Sequence, residues 1–210
     1  MTVKVKICGI TSAEDACRAV ESGADAIGLM FYEKSPRHVT LAEAAWISRA
    51  VPPFISKVGV FVNSDRETVE EAVQYCGLDA LQFHGEETPS FCESFLPRKT
   101  IKAFRVKDAA TLEVLLEYYG RVDAVLLDSY VAGQRGGTGA TFNWDLARRA
   151  KEGGVPVVLA GGLTPDNVAK AVRLVGPYGV DVSSGVESAP GRKDGEKVAA
   201  FIRAAKAAQG

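Results

Sequence analysis

Two ionisable side chains stand at the ends of apolar, β-branched runs: Cys8 closes Val3–Cys8 and Asp128 closes Ala124–Asp128. A thiolate can take a proton and a carboxylic acid can give one, so the pair has the makings of a general base and a general acid. Cys8 precedes Gly9, where a strand gives way to a loop, and strand alternation puts Lys4 and Lys6 on the face of Cys8. A lysine one layer beneath a thiol favours the thiolate. Lys6 is equally suited to pair with a buried acid such as Asp181. Asp128 follows Val125-Leu126-Leu127, and an acid among apolar neighbours is suited to donate a proton. The plainer reading of Asp128 is a helix cap or a partner for Arg135. Arg37, in Ser35-Pro36-Arg37, offers a planar fork for a carboxylate or phosphate, or is simply a surface arginine.

A second group of residues is rich in backbone donors. Gly161-Gly162 and Ser183-Ser184-Gly185 each follow a β-branched run near the end of the chain. Glycines let N–H groups approach an anion closely, serine hydroxyls add donors, and a following helix N-terminus adds positive potential. One Gly-Gly pair alone would make only a tight turn. Two such loops on neighbouring strands point to a phosphate. His84-Gly85 and the glycine loop Gly136-Gly137-Thr138-Gly139, with Gly137 as its site candidate, are further strand-end features.

Positioning these residues requires a regular scaffold, and the chain has one. Strands are predicted at Val3–Cys8, Ala26–Phe31, Ile55–Phe61, Ala80–Phe83, Ile101–Phe104, Ala124–Asp128, Val155–Ala160 and Val180–Ser183. Between them, apolar residues recur at helical spacing in Ala13/Ala16/Cys17/Val20, Val69/Ala72/Val73/Cys76 and Leu112/Leu115/Leu116/Tyr119. The same spacing returns in Val168/Ala171/Val172/Val175 and Val198/Phe201/Ile202/Ala205. Ser12 with Asp15, Thr40 with Glu43 and Ser64 with Glu67 have capping-box spacing. Thr88-Pro89 and Thr164-Pro165 put a cap residue before a proline at the first helical position. Eight βα units of roughly 25 residues predict a single-domain (β/α)8 barrel over residues 1–210, since closure leaves no open sheet edge. An open doubly wound sheet is the competing architecture. In a parallel barrel, the strand ends named above all meet at one mouth.

Composition narrows the function classes. Formal net charge is −1, so no basic excess points to nucleic acid. The longest apolar runs have strand length, which predicts no membrane span, and the first residues lack the apolar core of a signal peptide. The four cysteines form no CxxC pair and the two histidines are isolated, so no metal site is expected. Cys17 and Cys76 lie on apolar helix stripes and read as small core residues. A reduced, cytoplasmic enzyme is the expectation.

Taken in order, the motifs resemble the phosphoribosylanthranilate isomerase family. They are Lys6-Ile7-Cys8-Gly9-Ile10-Thr11, Gly28-Leu29-Met30-Phe31 through Ser35-Pro36-Arg37, and Val58-Gly59-Val60-Phe61-Val62-Asn63. Leu81-Gln82-Phe83-His84-Gly85, Gly136-Gly137-Thr138-Gly139 and Leu159-Ala160-Gly161-Gly162-Leu163 follow. Asp181-Val182-Ser183-Ser184-Gly185-Val186-Glu187 comes last, with Pro190-Gly191 and Lys193-Asp194 after it. Asn143 departs from the family, which more usually has aspartate there.

The resemblance implies an Amadori rearrangement in tryptophan biosynthesis, with a small phosphorylated substrate and no cofactor. It implies Asp128 as general acid, Cys8 as general base, and Arg37 as the group that receives the anthranilate carboxylate. Gly161, Gly162, Ser183, Ser184 and Gly185 would form the phosphate site. No nucleic-acid or membrane partner is expected, and such a barrel works as a monomer or a homodimer. The alternatives are another sugar-phosphate barrel enzyme, or a non-catalytic phosphate-binding barrel, which would not need Cys8 together with Asp128.

Overall fold

The structure, a computed structural model, describes residues 2–106, 110–129 and 144–208. Its strands are β1 (Lys4–Cys8), β2 (Ala26–Met30), β3 (Ser56–Phe61), β4 (Ala80–Phe83), β5 (Lys99–Val106), β6 (Ala124–Ser129), β7 (Val157–Ala160) and β8 (Gly179–Val182). They pair in parallel and in chain order, and β8 returns to β1 with Lys6 opposite Asp181, so the barrel is closed. The doubly wound alternative is thereby excluded. Each strand lies within two residues of its predicted ends, the usual margin for element boundaries.

Alternation along the strands sorts two cores. Ile7, Ile27, Leu81, Phe83, Val125, Leu127, Val157, Leu159, Val180 and Val182 belong to the large cluster shared with the helices. The residues between them turn the other way, into the barrel. On β5, β6 and β7 that interior is apolar, formed by Ala103, Leu126, Val158 and Ala160 with Ile101 against them. On β1, β4 and β8 the corresponding positions are Lys6, Gln82 and Asp181, all buried. Part of the barrel interior, on these three strands, is therefore polar.

The helices are α1 (Ala13–Glu21), α2 (Leu41–Ala50), α3 (Arg66–Cys76), α4 (Pro89–Glu93), α5 (Ala110–Leu116), α6 (Trp144–Lys151), α7 (Val168–Val175) and α8 (Gly195–Ala207). α3, α7 and α8 bury the apolar stripes their spacing predicts. α1 does not. It turns Asp15, Ala16 and Ala19 inward, because the Asp15 carboxylate accepts the Lys193 backbone N–H at 3.0 Å; Cys17 is half-buried rather than a core residue. α5 ends at Leu116, so the chain leaves helical phase; Leu116 is exposed and Tyr118 is buried, its hydroxyl donating to the Glu87 carbonyl at 2.9 Å.

The caps show similar local adjustments. Thr40 and Glu43 form the full reciprocal box, and Thr88 caps α4 ahead of Pro89. Ser12 caps α1, but Asp15 reaches Lys193 instead of closing the box. Asp65, not Ser64, caps α3, accepting from the Thr68 N–H at 2.8 Å. Thr164-Pro165 opens a turn, and α7 begins only at Val168, with Asn167 in the cap position. After β8 the chain makes a 3-10 turn (Ser184–Val186) and then an antiparallel hairpin, β9 (Glu187–Ala189) and β10 (Arg192–Lys193), before α8. No helix among the described residues is long and apolar enough to cross a membrane.

Candidate active site

Cys8 ends β1 on the inward face, and its side chain is buried. Gly28 is its register partner on β2, and the absence of a side chain there makes the space the thiol occupies. A Cβ at Gly28 would lie 2.8 Å from Cys8 Sγ and 3.1 Å from both Cys8 Cα and Lys6 Cε. Lys6 sits one layer below, with Nζ 3.0 Å from Asp181 Oδ1 and 3.0 Å from Gln82 Oε1. Burial lowers the Lys6 ammonium, yet the Asp181 carboxylate and the Cys8 thiolate outweigh it and leave Lys6 raised. Both readings of Lys6 thus hold in geometry, but its effect on the thiol is outweighed. Burial pushes Cys8 up, Lys6 pulls it down, Asp181 pushes it up again, and the result lies above the ordinary thiol range. Lys6 thus favours the thiolate, as a cation beneath a thiol should, while burial and Asp181 work against it.

This balance has a measurable consequence. Alkylation of Cys8 by iodoacetamide, followed by mass spectrometry of its peptide, should stay slow until the pH passes the ordinary thiol value of ~8.5. Lys6→Met removes the main opposing cation and should slow the reaction further at every matched pH. Equal rates in a variant whose circular dichroism is unchanged would show that Lys6 does not act on the thiol.

Asp128 ends the inward-facing series of β6 and reaches the same mouth, its side chain 29% exposed. Its neighbour is polar: His84 Nε2 lies 3.4 Å from Asp128 Oδ2. His84 follows β4 two residues after Gln82, whose Nε2 is 3.2 Å from His84 Nδ1. Asp181, Lys6, Gln82, His84 and Asp128 therefore form one row of polar groups across the barrel from β8 to β6. Arg135, Gly136, Gly137, Thr138, Gly139 and Asn143 lie outside the described residues.

Arg37 lies over Gly9, whose positive φ of 70° suits glycine; a Cβ there would be 2.5 Å from Arg37 Cδ. Its fork is not idle. Nε and Nη2 donate to the two carboxylate oxygens of Glu187, each at 2.7 Å, and that contact holds the guanidinium above its ordinary value. Lys193, buried in the hairpin, also donates to Glu187 at 2.8 Å. One edge of the fork is paired with Glu187, and Nη1 lies on the other edge.

The donor-rich loops meet between these groups. Gly161 and Gly162 have φ of 80° and 62°. Asn167 pins their loop, accepting from the Thr164 N–H at 2.8 Å and donating to the Gly162 carbonyl at 2.9 Å. A Cβ at Gly185 would fall onto the Leu163 carbonyl oxygen, so glycine there lets the β7 and β8 loops touch. Ser183 is half-buried with Lys193 Nζ 3.4 Å from its hydroxyl, and Ser184 is exposed. The helix expected directly after Ser183 is instead the 3-10 turn.

A family model described as "N-(5'phosphoribosyl)anthranilate (PRA) isomerase" matches residues 5–204. The chain belongs to that family. The N-(5'-phosphoribosyl)anthranilate isomerase of Geobacter metallireducens is 57% identical over 205 residues, covering 98% of this chain and 100% of the relative. The crystal structure of phosphoribosyl anthranilate isomerase from Thermotoga maritima superposes with a TM-score of 0.92 at 43% identity, covering 98% and 99% of the two chains. A phosphoribosyl anthranilate isomerase in complex with reduced 1-(o-carboxyphenylamino)-1-deoxyribulose 5-phosphate matches with a TM-score of 0.88 at 42% identity, again over 98% and 99%.

Three residues that spacing and residue type do not single out also shape the site of this isomerase: Gln82, Glu187 and Lys193. Gln82 was legible in principle, as the one polar residue in Ala80–Phe83 and two positions before His84. Glu187 and Lys193 gain their roles only when the hairpin folds back against Arg37. A fourth device is the buried ion pair of Glu87 with Lys102 at 2.9 Å. Glu87 also accepts the N–H groups of Asn63 at 2.7 Å and Gly85 at 2.9 Å, which fixes the loop that presents His84.

Proposed function

We propose that Cys8 and Asp128 are the base and acid of this isomerase, acting on N-(5′-phosphoribosyl)anthranilate in tryptophan biosynthesis. The observation that carries this reading is the order of groups around the mouth. Acid on β6, donor loops after β7 and β8, and base on β1 stand on consecutive neighbours of the closed barrel. A phosphate held by Gly161, Gly162, Ser183, Ser184 and Gly185 would leave the attached ribose between Asp128 and Cys8.

The chemistry follows from that placement. Asp128 gives its proton to the furanose ring oxygen as the C1′–O4′ bond breaks, and the anilino nitrogen lone pair forms the C1′=N bond. Cys8, as the thiolate, takes the C2′ proton. The C2′–H electron pair becomes a C1′=C2′ bond and the C=N pair returns to nitrogen, giving an enolamine. Tautomerisation yields the ketone, 1-(2-carboxyphenylamino)-1-deoxyribulose 5-phosphate. The imine within the substrate serves as its own electron sink, so this reading calls for no cofactor. Lys6 and Lys193 both favour the thiolate that the step needs.

Arg37 stands on the Cys8 side of the mouth, and its second edge suits the anthranilate carboxylate. Arg37→Ala should raise KM by on the order of 10–100-fold, the worth of a lost charge-assisted hydrogen bond, with a smaller effect on kcat. An unchanged KM would remove Arg37 from the substrate site. The activity itself is read by the loss of anthranilate-derivative fluorescence when protein is added to freshly made phosphoribosylanthranilate. No turnover there would defeat the reading.

A further inference from the structure

The row of polar groups across the barrel has a direction. Lys6 carries only donors, and its Nζ lies 3.0 Å from Gln82 Oε1. The buried Gln82 amide is thereby oriented with its oxygen toward Lys6 and its NH2 toward β6. That NH2 meets His84 Nδ1 at 3.2 Å, and a donor facing Nδ1 makes Nδ1 the acceptor. The ring N–H is then on Nε2, which faces Asp128 Oδ2 at 3.4 Å. An inverted amide would set its NH2 against the Lys6 ammonium, donor against donor.

We propose that Gln82 is a positioning residue: anchored by Lys6, it selects the Nε2–H tautomer of His84 and so aims a hydrogen-bond donor at Asp128. This inference rests on the reading of Asp128 as the general acid. With Oδ2 facing His84 Nε2 at 3.4 Å, the other oxygen is left to deliver the proton. As the proton leaves, negative charge develops on the carboxylate, and the Nε2–H contact becomes a charge-assisted one. The benefit appears in the proton-transfer step and not in substrate binding, so it belongs to kcat. No atom of Gln82 need touch the substrate.

Gln82→Glu is the sharp test because it reverses the row. One carboxylate oxygen keeps Lys6, and the other accepts from His84, which moves the ring proton to Nδ1 and turns a lone pair toward Asp128. The chain has two histidines, so long-range nitrogen–proton correlation spectra of the labelled rings can be assigned with a His38→Gln variant. The unaltered protein should show His84 protonated at Nε2, and Gln82→Glu should show it protonated at Nδ1. kcat should fall by on the order of 10-fold or more with KM within about twofold, in line with loss of a transition-state donor. Gln82→Met, which neither donates nor accepts strongly, should mix the tautomers and fall between the two.

A double-mutant cycle separates positioning from mere packing. In a His84→Asn background, Gln82→Glu should cost little more, whereas losses that multiply would overturn the proposal. So would an Nδ1-protonated His84 in the unaltered protein, or a Gln82→Glu kcat near normal while Asp128→Asn is inactive. Near-normal turnover of Asp128→Asn would instead remove the acid, and the catalytic purpose of Gln82 with it, even if His84 keeps its Nε2 proton.

Discussion

Cys8→Ala is expected to lower kcat by about 10²- to 10⁴-fold, the range for loss of a positioned acid or base, while KM changes only a few-fold. The side chain ends the inward series of β1, in space that Gly28 leaves open on β2. Alanine keeps the backbone and fills less of that space, so the barrel should remain closed; a stability loss of ~1 kcal/mol is typical of such a change. Cys8→Ser separates packing from chemistry. A serine hydroxyl is close in size to the thiol but is far less acidic, so it should restore stability and not turnover. Steady-state kinetics by the fluorescence assay, with thermal unfolding of the same samples, would read both. Turnover near normal in Cys8→Ala would remove Cys8 as the base.

Asp128→Asn should have a loss of comparable size, about 10²- to 10⁴-fold in kcat, for a different reason. The amide is isosteric with the carboxyl, and its oxygen can still accept from His84, which lies 3.4 Å away. It has no proton to give at the acidity the ring oxygen requires. Substrate affinity should persist, because the proposed phosphate and carboxylate contacts come from β7, β8 and Arg37. A substrate whose furanose ring is already open should recover part of the lost rate with Asp128→Asn, since ring opening is the step the acid serves. No recovery with such a substrate would place the role of Asp128 elsewhere.

Much of the scaffold was legible because its information is local. Runs such as Ala124–Leu127 and Val157–Ala160 are apolar at every position, as parallel strands covered on both faces require. Where the structure departs from that reading, packing decides. Ser64 and Asp65 are both good caps, and only the course of the chain selects Asp65. On α5 the helical period runs on to Tyr119, but the helix stops at Leu116 and Tyr118 turns inward instead. Spacing puts Cys17 in the core, yet α1 turns Asp15 inward, where its carboxylate accepts the Lys193 backbone N–H, and leaves Cys17 half-buried.

For the site, two kinds of information divide cleanly. Strand parity alone puts Lys6 with Cys8 on one face of β1. It also put Cys8, Asp128 and the paired donor loops at strand ends. A period of two residues is a property of the chain and needs no partner. Closure of the barrel decided who stands across from whom. Lys6 meets Asp181 over 175 positions of sequence, and Arg37 meets Glu187 over 150. The second of these pairings occupies one edge of the Arg37 fork. The balance of influences on the Cys8 thiol is likewise beyond the reach of spacing. It depends on how much water is excluded from the thiol against how near its cations lie, and both are set only when the strands close around it.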